Sequence, residues 1–249
     1  MIAAAGDISC PSGCTSARQT SDLLVNRGLA AVLTLGDNQY DSGSLAAYNA
    51  YYDPTWGRVK SITRPAPGNH DPPGSGYSSY WGRPAYYSYD IGAWHLISLD
   101  SNSPSSAQVA WLKSDLAASS ARCTLAYWHH PRFSSGSTHG DNSSVGPFWD
   151  ALYAAGADVV LNGHEHNYER FAPQSPSGGA DGARGIREFI SGTGGRNHYP
   201  ISSAKPNSQV HNSDTFGVLE LSLHPSGYDW QFRPAAGGGF TDQGSGSCH

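Results

Sequence analysis

At the carboxyl end of one short apolar run after another, this chain places an aspartate, an asparagine or a histidine. IAAAG leads to Asp7, AAVLTLG to Asp37, ITRPAPG to Asn69, His70 and Asp71, CTLAYW to His129 and His130, and DVVLNG to His164 and His166. Aliphatic or β-branched runs of this length alternate with segments of helical period, which is the pattern of a layered α/β chain. In an open α/β sheet the ligand crevice lies outside the strands' carboxyl ends, so residues far apart in sequence converge there. Taken singly, each is an ordinary turn or helix-cap residue. Independent turns, however, have no reason to supply carboxylate, amide and imidazole at strand end after strand end.

Strands are expected at 2–6, 30–36, 94–100, 123–129, 158–163, 187–192 and 217–223, with helices over 16–28, 105–119 and 146–156. HPSG and YDWQFRP read as the turn and return strand of an antiparallel hairpin, which makes the sheet mixed at its end. Residues 172–186 and the C-terminal AAGGGFTDQGSGSC are rich in Gly, Pro and Ser and read as surface loops. No linker divides the 249 residues, so one domain over 1–249 is expected.

The formal net charge is -5 with no run of lysines or arginines, so the electrostatic footprint of a nucleic-acid partner is missing. Apolar runs fall far short of the roughly 20 residues that a membrane helix needs. MIAAAGDISC has no charged n-region or cleavage site, and a secreted protein whose signal peptide has been removed is the expectation. Four cysteines allow three pairings; Cys10 with Cys14 and Cys123 with Cys248 are expected, as suits an oxidising compartment, against four buried thiols as the alternative.

The spacing of GHEHNYE excludes an HExxH zinc helix, and Tyr168 and Glu169 stand where an HxHxDH pattern needs Asp and His. Imidazoles, carboxylates and an amide oxygen together suit Zn, Fe or Mn rather than copper or an iron–sulfur cluster. The aromatics of YNAYYDPTW and GYSSYWGRPAYYSYD either stack on a substrate or close a core, and a core is expected.

GDIS, GDNQY, GNHD, WHHP and GHEH, in that order over residues 6–166, resemble the signature of the calcineurin-like metallophosphoesterase superfamily. Ser9 replaces the histidine of the general first motif. Tyr40, three residues after Asp37, looks like the tyrosine ligand of the purple acid phosphatase branch, and GHEHNYER is similar to the matching motif of its plant members. The resemblance implies a four-layer αββα sandwich of two mixed β-sheets flanked by helices. It further implies that Asp7, Tyr40 and His166 hold one metal, Asn69, His129 and His164 a second, and that Asp37 bridges them. His129 is preferred to His130 because the family's ligand sits in an H-x-P pattern. His70 and His139 would face the substrate and protonate the leaving group. The phenolate and carboxylate side suits Fe(III), the imidazole side Zn, Fe or Mn.

The implied activity is hydrolysis of small phosphate monoesters by a metal-bridging hydroxide attacking phosphorus in line. A phosphodiesterase or nucleotidase using Mn or Zn is the alternative within the class. A secreted carbohydrate-binding module with a structural metal is the alternative outside it. The N-terminal sandwich domain of the plant proteins has no counterpart, so a catalytic domain alone is expected. GTGGRNHYP is placed to bring Arg196, His198 or Tyr199 near the crevice, but none of them is expected among the site residues.

Overall fold

Alternate residues of the central strands enter different cores, and this alternation stacks the molecule in layers. The computed structural model describes residues 1–249. The first half runs β1 (Ile2–Ala5), α1 (Thr15–Asp22), β2 (Ala31–Leu35), α2 (Leu45–Ala47), β3 (Thr63–Ala66), α3 (Gly76–Trp81), β4 (Tyr87–Ile91), β5 (Trp94–Ser98), α4 (Ser106–Ala118) and β6 (Cys123–Tyr127). There follow α5 (Gly146–Ala154), β7 (Val159–Asn162), β8 (Tyr168–Phe171), β9 (Arg187–Ser191), β10 (Ser208–Asn212), β11 (Gly217–His224), β12 (Gly227–Pro234) and β13 (Gln243–Ser247). One sheet has the order β13-β12-β11-β1-β2-β3 and the other β10-β8-β9-β7-β6-β5-β4. Both are mixed: β1, β2 and β3 are parallel with β11 antiparallel to β1, while β5, β6, β7 and β9 are parallel with β4 and β8 antiparallel.

Side chains on a strand alternate between faces. Ile2, Ala4, Leu33, Leu35, Leu125, Tyr127, Val159 and Leu161 therefore fill the core between the two sheets. Ala3, Ala5 and Val32 face the opposite way, onto Ala17 of α1 and the aromatics Tyr48, Tyr52, Trp56, Tyr77 and Tyr80. Ala126, Trp128 and Val160 pack on Leu112 of α4 and Phe148, Trp149 and Leu152 of α5. These three cores are the three interfaces of an αββα sandwich. The small residues of β1 admit the large rings above them, so the aromatic-rich segments close a core as expected.

The described elements depart from expectation at the edges. The terminal Gly- and Ser-rich segment is not all loop, since Gln243–Ser247 pairs antiparallel with β12. The first helix stops at Asp22, and the chain then turns through Asn26 and Gly28, both at positive φ. Cysteines pair as Cys10–Cys14 and Cys123–Cys248, the second joining the start of β6 to the residue beyond β13 and so linking the two sheets. No helix is long and apolar enough to cross a membrane.

Candidate metal centre

The strand ends approach one another because glycine precedes the polar residue at most of them. A Cβ on Gly36 would stand 2.5 Å from the His129 ring, and one on Gly68 would stand 2.1 Å from Asp37 Oδ1. Glycine is what lets those loops close. The residues that follow carry the strain: Asp7, Asp37 and His164 have φ of 58°, 49° and 72°. Left-handed backbone is costly for such residues and gathers at functional sites.

All seven residues expected to bind metal come together. Tyr40 donates its hydroxyl to Asp7 Oδ1 at 2.8 Å and lies 3.0 Å from His166 Nε2, which is 3.2 Å from Asp7 Oδ1. On the other side, His129 Nε2 lies 3.0 Å from Asn69 Oδ1 and 3.1 Å from His164 Nδ1. Asp37 stands between, with Oδ2 3.3 Å from His129 Nε2, and one of its oxygens lies within 4.8 Å of both an Asp7 oxygen and a His129 ring nitrogen. Two donor triads thus share one carboxylate.

Charge in this cluster is unbalanced. Asp7, Asp37 and Glu165 are all at most 1% exposed, yet the ion pairs of Asp7 and Asp37 are with histidines, and Glu165 has none. Burial, then the Asp7 and Asp37 carboxylates, push the Tyr40 phenol well above its ordinary range. Burial opposes charge on His129, but the Asp37 carboxylate prevails and holds it up at about 9. Burial and the neighbouring His129 depress His164. Bound cations reverse this logic, favouring phenolate, carboxylate and neutral imidazole at once. Buried carboxylates that meet only histidines or no cation at all, one oxygen-rich and one nitrogen-rich triad, and a shared carboxylate fit a pair of metal ions.

The substrate-facing candidates stand at the rim. His70 donates its backbone N–H to Asp37 Oδ1 at 2.9 Å, and its Nδ1 lies 2.6 Å from the Asp41 carbonyl. His139 is exposed and stacks on His164 with ring centroids 4.0 Å apart. The 192–200 loop also reaches the site. Tyr199 stacks on His166 at 3.9 Å, and the Arg196 guanidinium lies 4.9 Å from the Tyr40 ring centroid and 3.5 Å from Asp41. His198 packs instead on Phe216. A signal for this loop was present, since its glycines follow a buried strand end, as in GD and GN. Asp71 turns inward, accepting from Asn38 and Gly68 N–H and the Tyr48 hydroxyl, and burial with the nearby Asp37 raises its carboxyl to about 6.

Three buried glutamates hold up the loop that carries His139. Glu188 Oε1 accepts the N–H of Arg132 and Phe133, Glu169 Oε2 that of Ser135, and Glu165 Oε1 those of His139 and Gly140 at 2.6 Å each. Glu188 Oε2 has no partner, and burial pushes this carboxyl well above the usual range. The folded state therefore keeps Glu188 protonated while the unfolded chain ionises, so stability is lost as pH rises above the unfolded value and is untouched below it. Glu188→Gln is expected to raise the melting temperature relative to the native chain at pH 7 and to leave it unchanged near pH 4. A pH-independent difference would remove the titration.

Facing sheets with convergent carboxylate, amide and imidazole donors at their strand ends define a metallophosphoesterase architecture. The chain belongs to the calcineurin-like phosphoesterase family, whose profile matches residues 1–168. Its relatives include purple acid phosphatase 23 of Arabidopsis thaliana, 30% identical over 220 residues that span 68% of this chain and 47% of that protein. Purple acid phosphatase 15 of the same plant is 37% identical over 93 residues, 34% of this chain and 18% of that one. The chain spans less than half the length of the curated relatives it matches. In fold it is similar to purple acid phosphatase PPD1 from yellow lupin (Lupinus luteus) seeds, with a TM-score of 0.80 at 15% identity over 99% of this chain and 53% of that one. It is likewise similar to GAP50, the anchor in the inner membrane complex of Plasmodium, with a TM-score of 0.76 at 17% identity over 97% of this chain and 87% of that one.

Proposed function

We propose that this chain hydrolyses small phosphate monoesters at a binuclear metal centre, as one catalytic unit. Fold alone does not carry the reading, because a fold hosts many functions and GAP50 is named as an anchor. The observation that carries it is the pair of donor triads sharing Asp37. Asp7, Tyr40 and His166 would hold one ion, suited to Fe(III), and Asn69, His129 and His164 a second, suited to Zn, Fe or Mn. When bound, such a pair supplies Lewis acidity to a phosphoryl group and lowers the pKa of water.

The chain's own groups do the rest. The Asp37 carboxylate lies between the Asp7 and His129 sides and would offset the mutual repulsion of two cations held there. The His70 Nδ1–H, held by the Asp41 carbonyl, leaves Nε2 as the atom that passes a proton to the leaving oxygen. His139, kept against His164 by Glu165, is the second candidate for that transfer. The two disulfides support an oxidising, secreted setting.

Chelation is expected to abolish nitrophenyl phosphate turnover and added metal to restore it, with two ions per chain by elemental analysis. An iron-loaded sample is expected to absorb visible light and Tyr40→Phe to lose the band. Chelator-resistant turnover, or one enclosed ion, would overturn the reading; faster turnover of diesters would transfer it to a phosphodiesterase.

A further inference from the structure

His130 belongs to neither triad, yet one of its ring nitrogens lies within 4.8 Å of ring nitrogens of both His129 and His164. Its ring meets His164 at 4.3 Å between centroids and His129 edge-on at 5.0 Å. Ser101, only 3% exposed, fixes the orientation. The Ser101 Oγ accepts the His130 backbone N–H at 3.1 Å and lies 2.8 Å from its Nδ1. A hydroxyl oxygen has two lone pairs and can accept both N–H groups, which leaves the Nε2 lone pair available. His129 is built in the same way, with Nδ1 2.8 Å from the Leu35 carbonyl. Metal-binding histidines commonly have the second ring nitrogen tied in this manner. The Trp128 indole N–H donates to the His130 carbonyl at 2.8 Å, so the backbone is held as well.

We propose that His130 is a further donor to the ion on the Asn69, His129 and His164 side, oriented by Ser101. Three imidazoles then bias that side toward Zn(II) and away from Mg(II), which prefers oxygen ligands. The inference rests on the binuclear reading above. In the competing role, His130 hydrogen-bonds a substrate phosphate oxygen, with Ser101 donating to Nδ1 and the proton residing on Nε2.

Metal-stripped native protein, His130→Ala and Ser101→Ala are titrated with Zn(II) against a chromophoric chelator, and visible spectra are recorded after loading with Co(II). His130→Ala is expected to bind two ions, one of them at least about ten- to a hundred-fold more weakly, with altered Co(II) bands; Ser101→Ala is expected to lose about ten-fold at the same ion. Native affinity for both ions and a native Co(II) spectrum in His130→Ala would overturn the inference alone, and a raised KM beside them would assign His130 to substrate. A native protein that binds one ion, weakened by His130→Ala, would overturn the binuclear reading and leave His130 a ligand. Should His130→Ala not fold by circular dichroism, Ser101→Ala decides, since unchanged zinc affinity there removes the orienting device on which the proposal depends.

Discussion

Asp37→Asn is expected to lower phosphoester turnover by about a thousand-fold or more. The substitution keeps the size of the side chain and its acceptor for the His70 N–H, and removes only the charge that both triads share. Metal Lewis acidity contributes several kcal/mol to phosphoryl transfer, and a loss of about 4 kcal/mol corresponds to three powers of ten. In the proposed centre both ions depend on the one carboxylate, so elemental analysis should find fewer than two metals per chain at low metal excess. A folded Asp37→Asn variant with two ions and more than about a tenth of native kcat would show that the carboxylate does not bridge.

Asp242→Ala is expected to destabilise the fold by about 3–5 kcal/mol, the usual loss when one partner of a buried ion pair is removed. Asp242 takes the Arg170 guanidinium through both oxygens, at 2.7 and 3.2 Å, and also accepts from the Tyr168 hydroxyl and the Trp230 indole. Arg170 and Tyr168 belong to one sheet and Trp230 to the other, so the pair fastens the layers together. Truncation strands a guanidinium and two polar hydrogens away from water. For a chain of this size each kcal/mol moves the melting temperature by roughly 2–4 °C, so a drop of about 10 °C is expected in thermal unfolding. Replacing the pair together, as Arg170→Met with Asp242→Leu, should recover much of the loss. A shift below about 2 °C in the single variant would refute this role for the pair.

Most parts that were legible in the sequence are covered on both faces, whereas the equally buried β8 was missed because YERF carries two charged residues in four. Strands such as AVLTL and VVLN are buried throughout and read as unbroken apolar runs. The unexpected β4, β10 and β13 are edge strands with partly or largely exposed residues, and SQVHN and QGSGS have no apolar face to betray them. They are placed by pairing with a neighbour far away in sequence. The residues of the two triads were legible for a related reason, because a polar side chain directly after a buried strand has few structural duties. Glu165 and Ser101 were not. Their roles depend on which loop lands beside them, and tertiary contacts rather than spacing decide that.

The loop over the cleft hangs from carboxylates by its main-chain N–H groups, a grip that does not consult the side chains of the residues held. Ser137 and Thr138, both exposed there, can be exchanged for bulky, acidic or basic residues while the suspension stays intact. Under the proposed function, a chain built this way can be retuned toward new phosphate esters by changing that loop's exposed side chains, leaving the two triads underneath alone.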